Sequence, residues 1–228
     1  MARMCGRFAL IVDASVLADV FDVDPPRDLK PRFNIAPTQS VPIVRQDAHG
    51  DRECSMLRWG LIPSWSNDEK IGARMINARA ETAAEKPSFR AAIKSRRCLV
   101  PASGFYEWVK GPDGKQPHFI HFGDGRPFAF AGLWERWAKG SAGPLETFTI
   151  LTTSPNELIS DLHDRMPVIL SREAYAEWLE PAPLPPERLQ SLTAPHPADN
   201  MEAYPVSTHV NRPANDDPEC IVRMDATI

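Results

Sequence analysis

The chain reads as an α+β protein, a single domain with a mostly antiparallel, barrel-like β core and flanking helices. Three observations predict this. Strand-like runs rich in β-branched and aromatic residues succeed one another at 40–46, 54–60, 97–110, 117–122, 127–137, 146–153, 166–170 and 203–208. Helical patterns are scattered among them, at 14–21, 87–96, 155–162, 172–179 and 185–192, instead of alternating strand by strand as in a βαβ fold. The 228 residues are 43% hydrophobic and contain no internal repeat or dividing linker, which is enough chain for one sizeable core.

Taken in order, Gly6-Arg7-Phe8-Ala9-Leu10-Ile11-Val12 predicts a first strand over 6–12. Asp13 or Ser15 then supplies the start signal for a short helix over 14–21. Residues 22–39 are rich in Pro and Asp and read as a surface loop. The run 97–110 reads as one long strand, and the 23 prolines predict irregular connections between short elements. From about residue 210 the chain carries Asn, Pro and Asp, and a loosely ordered tail is expected.

Composition narrows the function classes. No apolar run approaches the roughly 20 residues of a membrane helix, and no charged-then-apolar leader is present, so a cytoplasmic protein is expected. Cys5, Cys54, Cys98 and Cys220 lie far apart, with no CxxC pair, which points to neither a zinc ribbon nor a disulfide framework. His118 and His121 fall in a predicted strand, where an odd spacing sends them to opposite faces, so no metal site is read there. A net charge of -4 argues against broad coating of nucleic acid but permits a local basic groove.

The segment Met4-Cys5-Gly6-Arg7-Phe8 carries the sharpest chemistry. If Cys5 becomes the N-terminal residue, it offers a thiol and an α-amine together, with ordinary pKa values of roughly 8.5 and 7.7–8.0. Such a 1,2-aminothiol condenses with an aldehyde through the amine and closes a thiazolidine ring through the thiol. Three polar residues stand in apolar settings that suit them to assist. Glu107 lies in Gly104-Phe105-Tyr106-Glu107-Trp108, where partial burial would fit a carboxylate for proton transfer. Asn77 lies in Met75-Ile76-Asn77-Ala78-Arg79, and His163 in Leu162-His163-Asp164-Arg165-Met166-Pro167. Read singly, Glu107 is as well explained by a salt-bridged strand residue, His163 by a helix terminus, and Asn77 by a turn.

Arginines and aromatics form a second pattern. Arg7, Arg32, Arg58, Arg79, Arg96, Arg97 and Arg165 lie near these segments, with Phe33, Trp59 and Trp65 among them. Guanidinium groups beside stacking aromatics are the chemistry of single-strand binding. For any one of these residues, a core aromatic or a solvated arginine accounts for it equally.

With these segments in hand, the chain resembles the SRAP family (SOS response-associated peptidase), the abasic-site processing proteins. The matching pieces run in order. They are Met4-Cys5-Gly6-Arg7-Phe8, Arg32-Phe33-Asn34-Ile35-Ala36-Pro37-Thr38, Trp59-Gly60-Leu61-Ile62-Pro63, Asn77-Ala78-Arg79-Ala80-Glu81-Thr82, Gly104-Phe105-Tyr106-Glu107-Trp108 and His163-Asp164-Arg165-Met166-Pro167, with a weaker Pro205-Val206-Ser207. The resemblance covers an SRAP-like domain over 4–222. It leaves 1–3 as a leader or a start assigned too early, and 223–228 as a tail.

The resemblance implies a positively charged cleft for single-stranded DNA and Cys5, Asn77, Glu107 and His163 as catalytic residues. The arginine and aromatic pattern adds Arg7, Trp65, Arg79 and Arg165 as expected DNA contacts. The resemblance implies no cofactor and no metal. The partner is single-stranded DNA containing abasic sites, the expected state is a monomer without membrane attachment, and the protein meets the nucleoid when bound to DNA. Activity would be a covalent thiazolidine crosslink that protects the lesion in DNA repair and the SOS response. Hydrolase (protease) action would remove the chain before Cys5, alongside lyase-type chemistry at the abasic site. Two other classes compete. One is an N-terminal-nucleophile amidohydrolase, whose glutamine-dependent members also begin Met-Cys-Gly, although this chain lacks their Asn-Gly dipeptide. The other is a non-catalytic single-strand DNA-binding module in which Cys5 is idle.

Overall fold

The computed structural model describes residues 6–111, 114–140 and 143–224. The chain opens with β1 (Phe8–Leu10) and α1 (Ala14–Phe21), followed by β2 (Arg32–Ile35), β3 (Ser40–Gln46) and β4 (Arg52–Trp59). Next come β5 (Asn77–Arg79), α2 (Ala80–Ala83), α3 (Ala92–Ser95), β6 (Arg97–Ala102) and β7 (Gly104–Gly111). The long strands β8 (Gly114–Phe122), β9 (Phe128–Trp137) and β10 (Leu145–Thr153) lead to α4 (Glu157–Ser160) and the short β11 (Met166–Pro167) and β12 (Ile169–Leu170). The chain finishes through α5 (Tyr175–Leu179), α6 (Pro186–Leu192) and β13 (Met201–Pro205).

Five strands close into a mixed barrel in the order β10-β4-β3-β6-β9, with β9 pairing back onto β10. The β4–β10 contact is parallel and the other four are antiparallel. Closure leaves those strands with no free edge in the ring. Every residue of β6 is buried. Gly132 on β9 is needed for this approach, since a Cβ there would lie 2.7 Å from Cys98 Sγ on β6. β5 adds in parallel to β10, and β11 and β12 extend the rim.

A second, antiparallel sheet in the order β13-β8-β7-β1-β2 packs against the barrel. Its inward row includes Phe8, which meets Trp59 edge-on at 5.2 Å and Phe130 at 5.8 Å between ring centroids. Such edge-to-face contacts fix geometry beyond simple burial. Trp59 is fully buried and donates Nε1–H to the Ile76 carbonyl at 2.8 Å. It is therefore a core residue and not a stacking platform for a base. The opposite face of the second sheet carries Ala9, Tyr106 and Phe119 against Val206, Val210 and Cys220 of the C-terminal segment.

Several expectations are corrected. The first strand is limited to Phe8–Leu10, because Ile11 donates its amide to Ser103 Oγ at 2.8 Å as the chain leaves the sheet. The loop expected over 22–39 contains β2, whose polar residues are paid for in hydrogen bonds by distant chain. The run 97–110 is two strands in two different sheets, divided at Ser103, whose amide donates to Ala9 O at 2.7 Å. The helix expected over 87–96 contracts to Ala92–Ser95, and that over 155–162 to Glu157–Ser160.

The segment beyond 210 is ordered through Met224, with 3-10 turns at Thr208–Asn211 and Pro218–Ile221. Asp216 accepts from the Phe33 and Asn34 amides and pairs with Arg32. Asn34 Nδ2 in turn donates to the carbonyls of Val210 and Asn215. These bonds satisfy buried polar groups that would otherwise oppose burial of β2.

Candidate active site

The inner face of the second sheet carries the first site residue. Side chains alternate along a strand, so Phe105 and Glu107 of β7 share the face turned to the barrel, and Tyr106 takes the other. Glu107 is only 2% exposed. The Tyr106 amide donates to Arg7 O at 3.1 Å, and Phe8 pairs with Phe105, so Arg7 and Phe8 run beside Glu107's strand. Cys5 itself lies outside the described residues.

A second group forms where β5 joins the barrel. β5 is held parallel to β10 in the register Asn77 to Ile150 and Arg79 to Thr152. Ile76 and Ala78 are buried, so Asn77 and Arg79 share the opposite, more open side of this strand. Thr152 Oγ1 donates to Ala78 O at 3.4 Å.

The turn after α4 brings His163 to the same corner through Arg165. The Arg165 guanidinium forks onto Glu81, with Nη1 to Oε1 at 2.6 Å and Nη2 to Oε2 at 2.7 Å, and Nη2 also donates to Thr152 O at 2.7 Å. One arginine therefore ties the 163–165 turn to α2 and β10. This fork holds the Glu81 carboxyl below the usual carboxylate range. The Arg165 amide donates to His163 Nδ1 at 3.1 Å. The Asp164 carboxylate lies 2.9 Å from the same Nδ1.

The remaining candidates fall in different places. Arg79 is exposed on the side of β5 that carries Asn77. Trp65 is 55% exposed on the loop after β4, and that loop is fastened by Lys139 Nζ to Trp65 O at 3.0 Å. Arg7 is engaged by Asn34 Oδ1 at 2.7 Å and Val210 O at 2.8 Å, so its guanidinium holds the C-terminal segment. Arg97 is 2% exposed and donates only to backbone carbonyls, including Trp178 O at 2.6 Å and Ile93 O at 2.7 Å. It is a structural arginine that caps the ends of α3 and α5. Arg96 pairs with Glu135, Arg58 with Glu69 and Arg32 with Asp216.

The three described cysteines are poorly suited to nucleophilic work. Burial pushes the Cys54 thiol up to about 11, the Cys98 thiol further still, and raises that of Cys220. Cys220 also belongs to the one group of described residues, with His209 and Asp217, whose donor atoms lie close enough together to hold a metal ion. Hydrogen bonding already engages that histidine, with Asn215 Nδ2 donating to Nδ1 at 3.1 Å and Nε2 facing Asp217 at 3.0 Å. Among the described residues no helix is long and apolar enough to cross a membrane.

The motifs name Asn77, His163 and Glu107 as candidates and give no sign of Glu81 and Thr152 as the partners that hold Arg165. Glu81 sits inside Asn77-Ala78-Arg79-Ala80-Glu81-Thr82, and a carboxylate among arginines is the one signal that could have found it.

Known proteins share this sequence and fold. The family model described as SOS response associated peptidase (SRAP) matches residues 4–213. The chain is 50% identical over 222 residues to the abasic site processing protein YoqW of Bacillus subtilis (strain 168), covering 96% of this chain and 99% of that protein. It is 36% identical over 227 residues to the abasic site processing protein HMCES of Gallus gallus, covering 86% of this chain and 67% of that protein. A crystal structure of a protein from Bacteroides thetaiotaomicron superposes with a TM-score of 0.87 at 30% identity, covering 96% of this chain and 100% of that one. The resemblance carried by the ordered motifs thus extends along nearly the whole chain, which belongs to the SOS response-associated peptidase (SRAP) family.

Proposed function

We propose that this protein processes abasic sites in single-stranded DNA by covalent capture. Cys5, once N-terminal, supplies both attacking atoms. The observation that carries the reading is the corner built by Arg165, which fastens His163 beside the strand bearing Asn77 and Arg79. Buried Glu107 stands on β7, where the neighbouring Tyr106 amide donates to Arg7 O, two residues after Cys5. The raised thiols of Cys54, Cys98 and Cys220 leave Cys5 as the chemically suited cysteine. The names of the relatives, abasic site processing proteins, agree with this substrate.

In this mechanism the abasic deoxyribose opens to its C1′ aldehyde as the C1′ hydroxyl gives its proton to water and the His163 imidazole gives one to the ring oxygen, which leaves as the C4′ hydroxyl. Asn77 hydrogen-bonds the opened sugar and holds the carbon within reach. Glu107 takes a proton from the Cys5 ammonium, and the freed lone pair attacks C1′. Loss of water gives an imine. The thiol then adds to the imine carbon, its proton passing to the imine nitrogen, and the thiazolidine closes. Arg79, with Arg7 and Arg165 as further candidates, faces flanking phosphates, and Trp65 supports a splayed base. Hydrolysis of the Met4–Cys5 peptide bond by the same residues would expose the amine.

The test uses single-stranded DNA with one abasic site and a denaturing gel after boiling. Wild-type protein is expected to run as a DNA-bound band, and Cys5→Ala is expected to show none. A Cys5→Ala protein that crosslinks as well as wild type overturns the reading. Intact mass gives a second readout, since protein crosslinking fully while still carrying Met1 would exclude the α-amine as nucleophile.

A further inference from the structure

Strand geometry puts His118 and His121 of β8 on opposite faces. The same geometry gives His118 a setting of its own. In the β7–β8 register, Glu107 lies directly opposite His118, as Phe105 lies opposite Ile120. Directly opposed residues of an antiparallel pair project to one face, with Cβ atoms about 4.5–5.5 Å apart. Phe105 and Ile120 belong to the buried core, so this is the inner face. Glu107 and His118 are the next pair along it, where the apolar core gives way.

Their burial differs in a useful way. Glu107 is 2% exposed, whereas His118 is half-buried. A carboxylate closed off from water can take a proton from an amine once, and must then pass that proton on. His118 Nδ1 lies 3.3 Å from Gln116 O. A carbonyl only accepts, so Nδ1 carries the ring's hydrogen, and Nε2 of the neutral ring holds a lone pair. The other residues on this face are uncharged. Val109 and Gln116 form the next pair along it, and Pro205 of β13 is the residue opposite His118.

Resting on the function proposed above, we propose that His118 relays protons between the buried Glu107 carboxylate and solvent. The balance is simple. The N–H bond of the Cys5 ammonium breaks and its proton joins a Glu107 oxygen. That proton then moves to His118 Nε2, and the imidazolium releases it to water. The amine keeps the electron pair with which it attacks. The reverse route returns the proton when the thiazolidine opens. Because His118 touches only Glu107 in this scheme, it is a positioning and relay residue and not a catalytic one.

The experiment is single-turnover crosslinking to single-stranded DNA bearing one abasic site. It compares wild type, His118→Ala, His118→Gln, Glu107→Gln and the double variant, each with and without added imidazole. A relay predicts that His118→Ala slows the rate by about tenfold or more while the final yield is unchanged. Imidazole is expected to restore much of that rate in His118→Ala and none in Glu107→Gln. The double variant should be no slower than Glu107→Gln alone, because both residues serve one path. His118→Gln keeps a polar side chain on the strand and should be slow and rescuable too.

Wild-type rates in His118→Ala and His118→Gln would overturn the relay. So would a loss that imidazole leaves untouched in variants that melt at the wild-type temperature, which is the outcome of a purely structural role. If wild type forms no crosslink with any abasic DNA, the relay falls with the underlying function. A crosslink that forms normally while His118 proves inert removes only the relay.

Discussion

At the scale of the residue, arginine shows how one side-chain type serves opposite purposes in one chain. Arg97 and Arg79 look alike in sequence, each a cation near an apolar run. Arg97 is sealed beneath α3 and α5 with its donors on backbone carbonyls, whereas Arg79 stands exposed on β5. No local pattern separates them, because what distinguishes Arg97 is a set of carbonyls some 80 residues away. Arg97→Met keeps the volume and strands those carbonyls. It should cost about 3–5 kcal/mol of stability, read by denaturant unfolding.

The Arg165–Glu81 fork carries a pH prediction. Its partner holds the Glu81 carboxyl below the ordinary value of 4.5, so the pair contributes fully at neutral pH, above the unfolded value. That contribution fades as pH falls through the lowered folded value, which lies in the acid range beneath 4.5. Glu81→Gln should therefore melt below wild type near pH 7, and the difference should shrink under acid conditions. Because half of Glu81 is open to solvent, the gap should be modest. A gap that widens on acidification would contradict this account.

At the scale of the element, the sequence is most readable where a strand or helix is long and least readable where its partners are remote. β3 and α1 fall where the pattern puts them, at Ser40–Gln46 and Ala14–Phe21. β2 is hidden in Pro- and Asp-rich chain because Arg32 and Asn34 draw on Asp216, Asn215 and Val210. The break at Ser103 is equally silent, since aromatic and β-branched residues continue across a corner between sheets. The Asn, Pro and Asp residues that make the C-terminal segment look loose in sequence are among those that supply β2's bonds. Asp216→Ala removes the acceptor for two amides and the Arg32 partner together. A loss of about 2–4 kcal/mol is expected by thermal unfolding, with Asp216→Asn retaining part of it.

At the scale of the whole molecule, the candidate site takes residues from both sheets. Glu107 comes from the second sheet, and Asn77 and His163 from the rim of the barrel. Motifs name these residues because each sits in a short, distinctive string. The joint between the sheets, by contrast, rests on Phe8, Trp59 and Phe130, whose types are ordinary for any core. A Phe8→Ala variant should therefore loosen both halves at once. It should lose about 3–5 kcal/mol and also crosslink more slowly, measured by unfolding and by the gel assay on the same preparation.

The position of β1 inside its sheet has a consequence for synthesis on the ribosome. β1 pairs with β2 on one side and with β7 on the other. A three-residue strand matched to one short neighbour does not hold by itself. Its second neighbour emerges about 100 residues later, a delay of roughly 5–20 s at ordinary elongation rates. Throughout that interval β1 lacks its second partner and Phe8–Leu10 stand open to proteases. The strand is protected once β7 arrives. Slowing translation ahead of residue 105 should raise the fraction of chains cut within Phe8–Leu10, as read by intact mass.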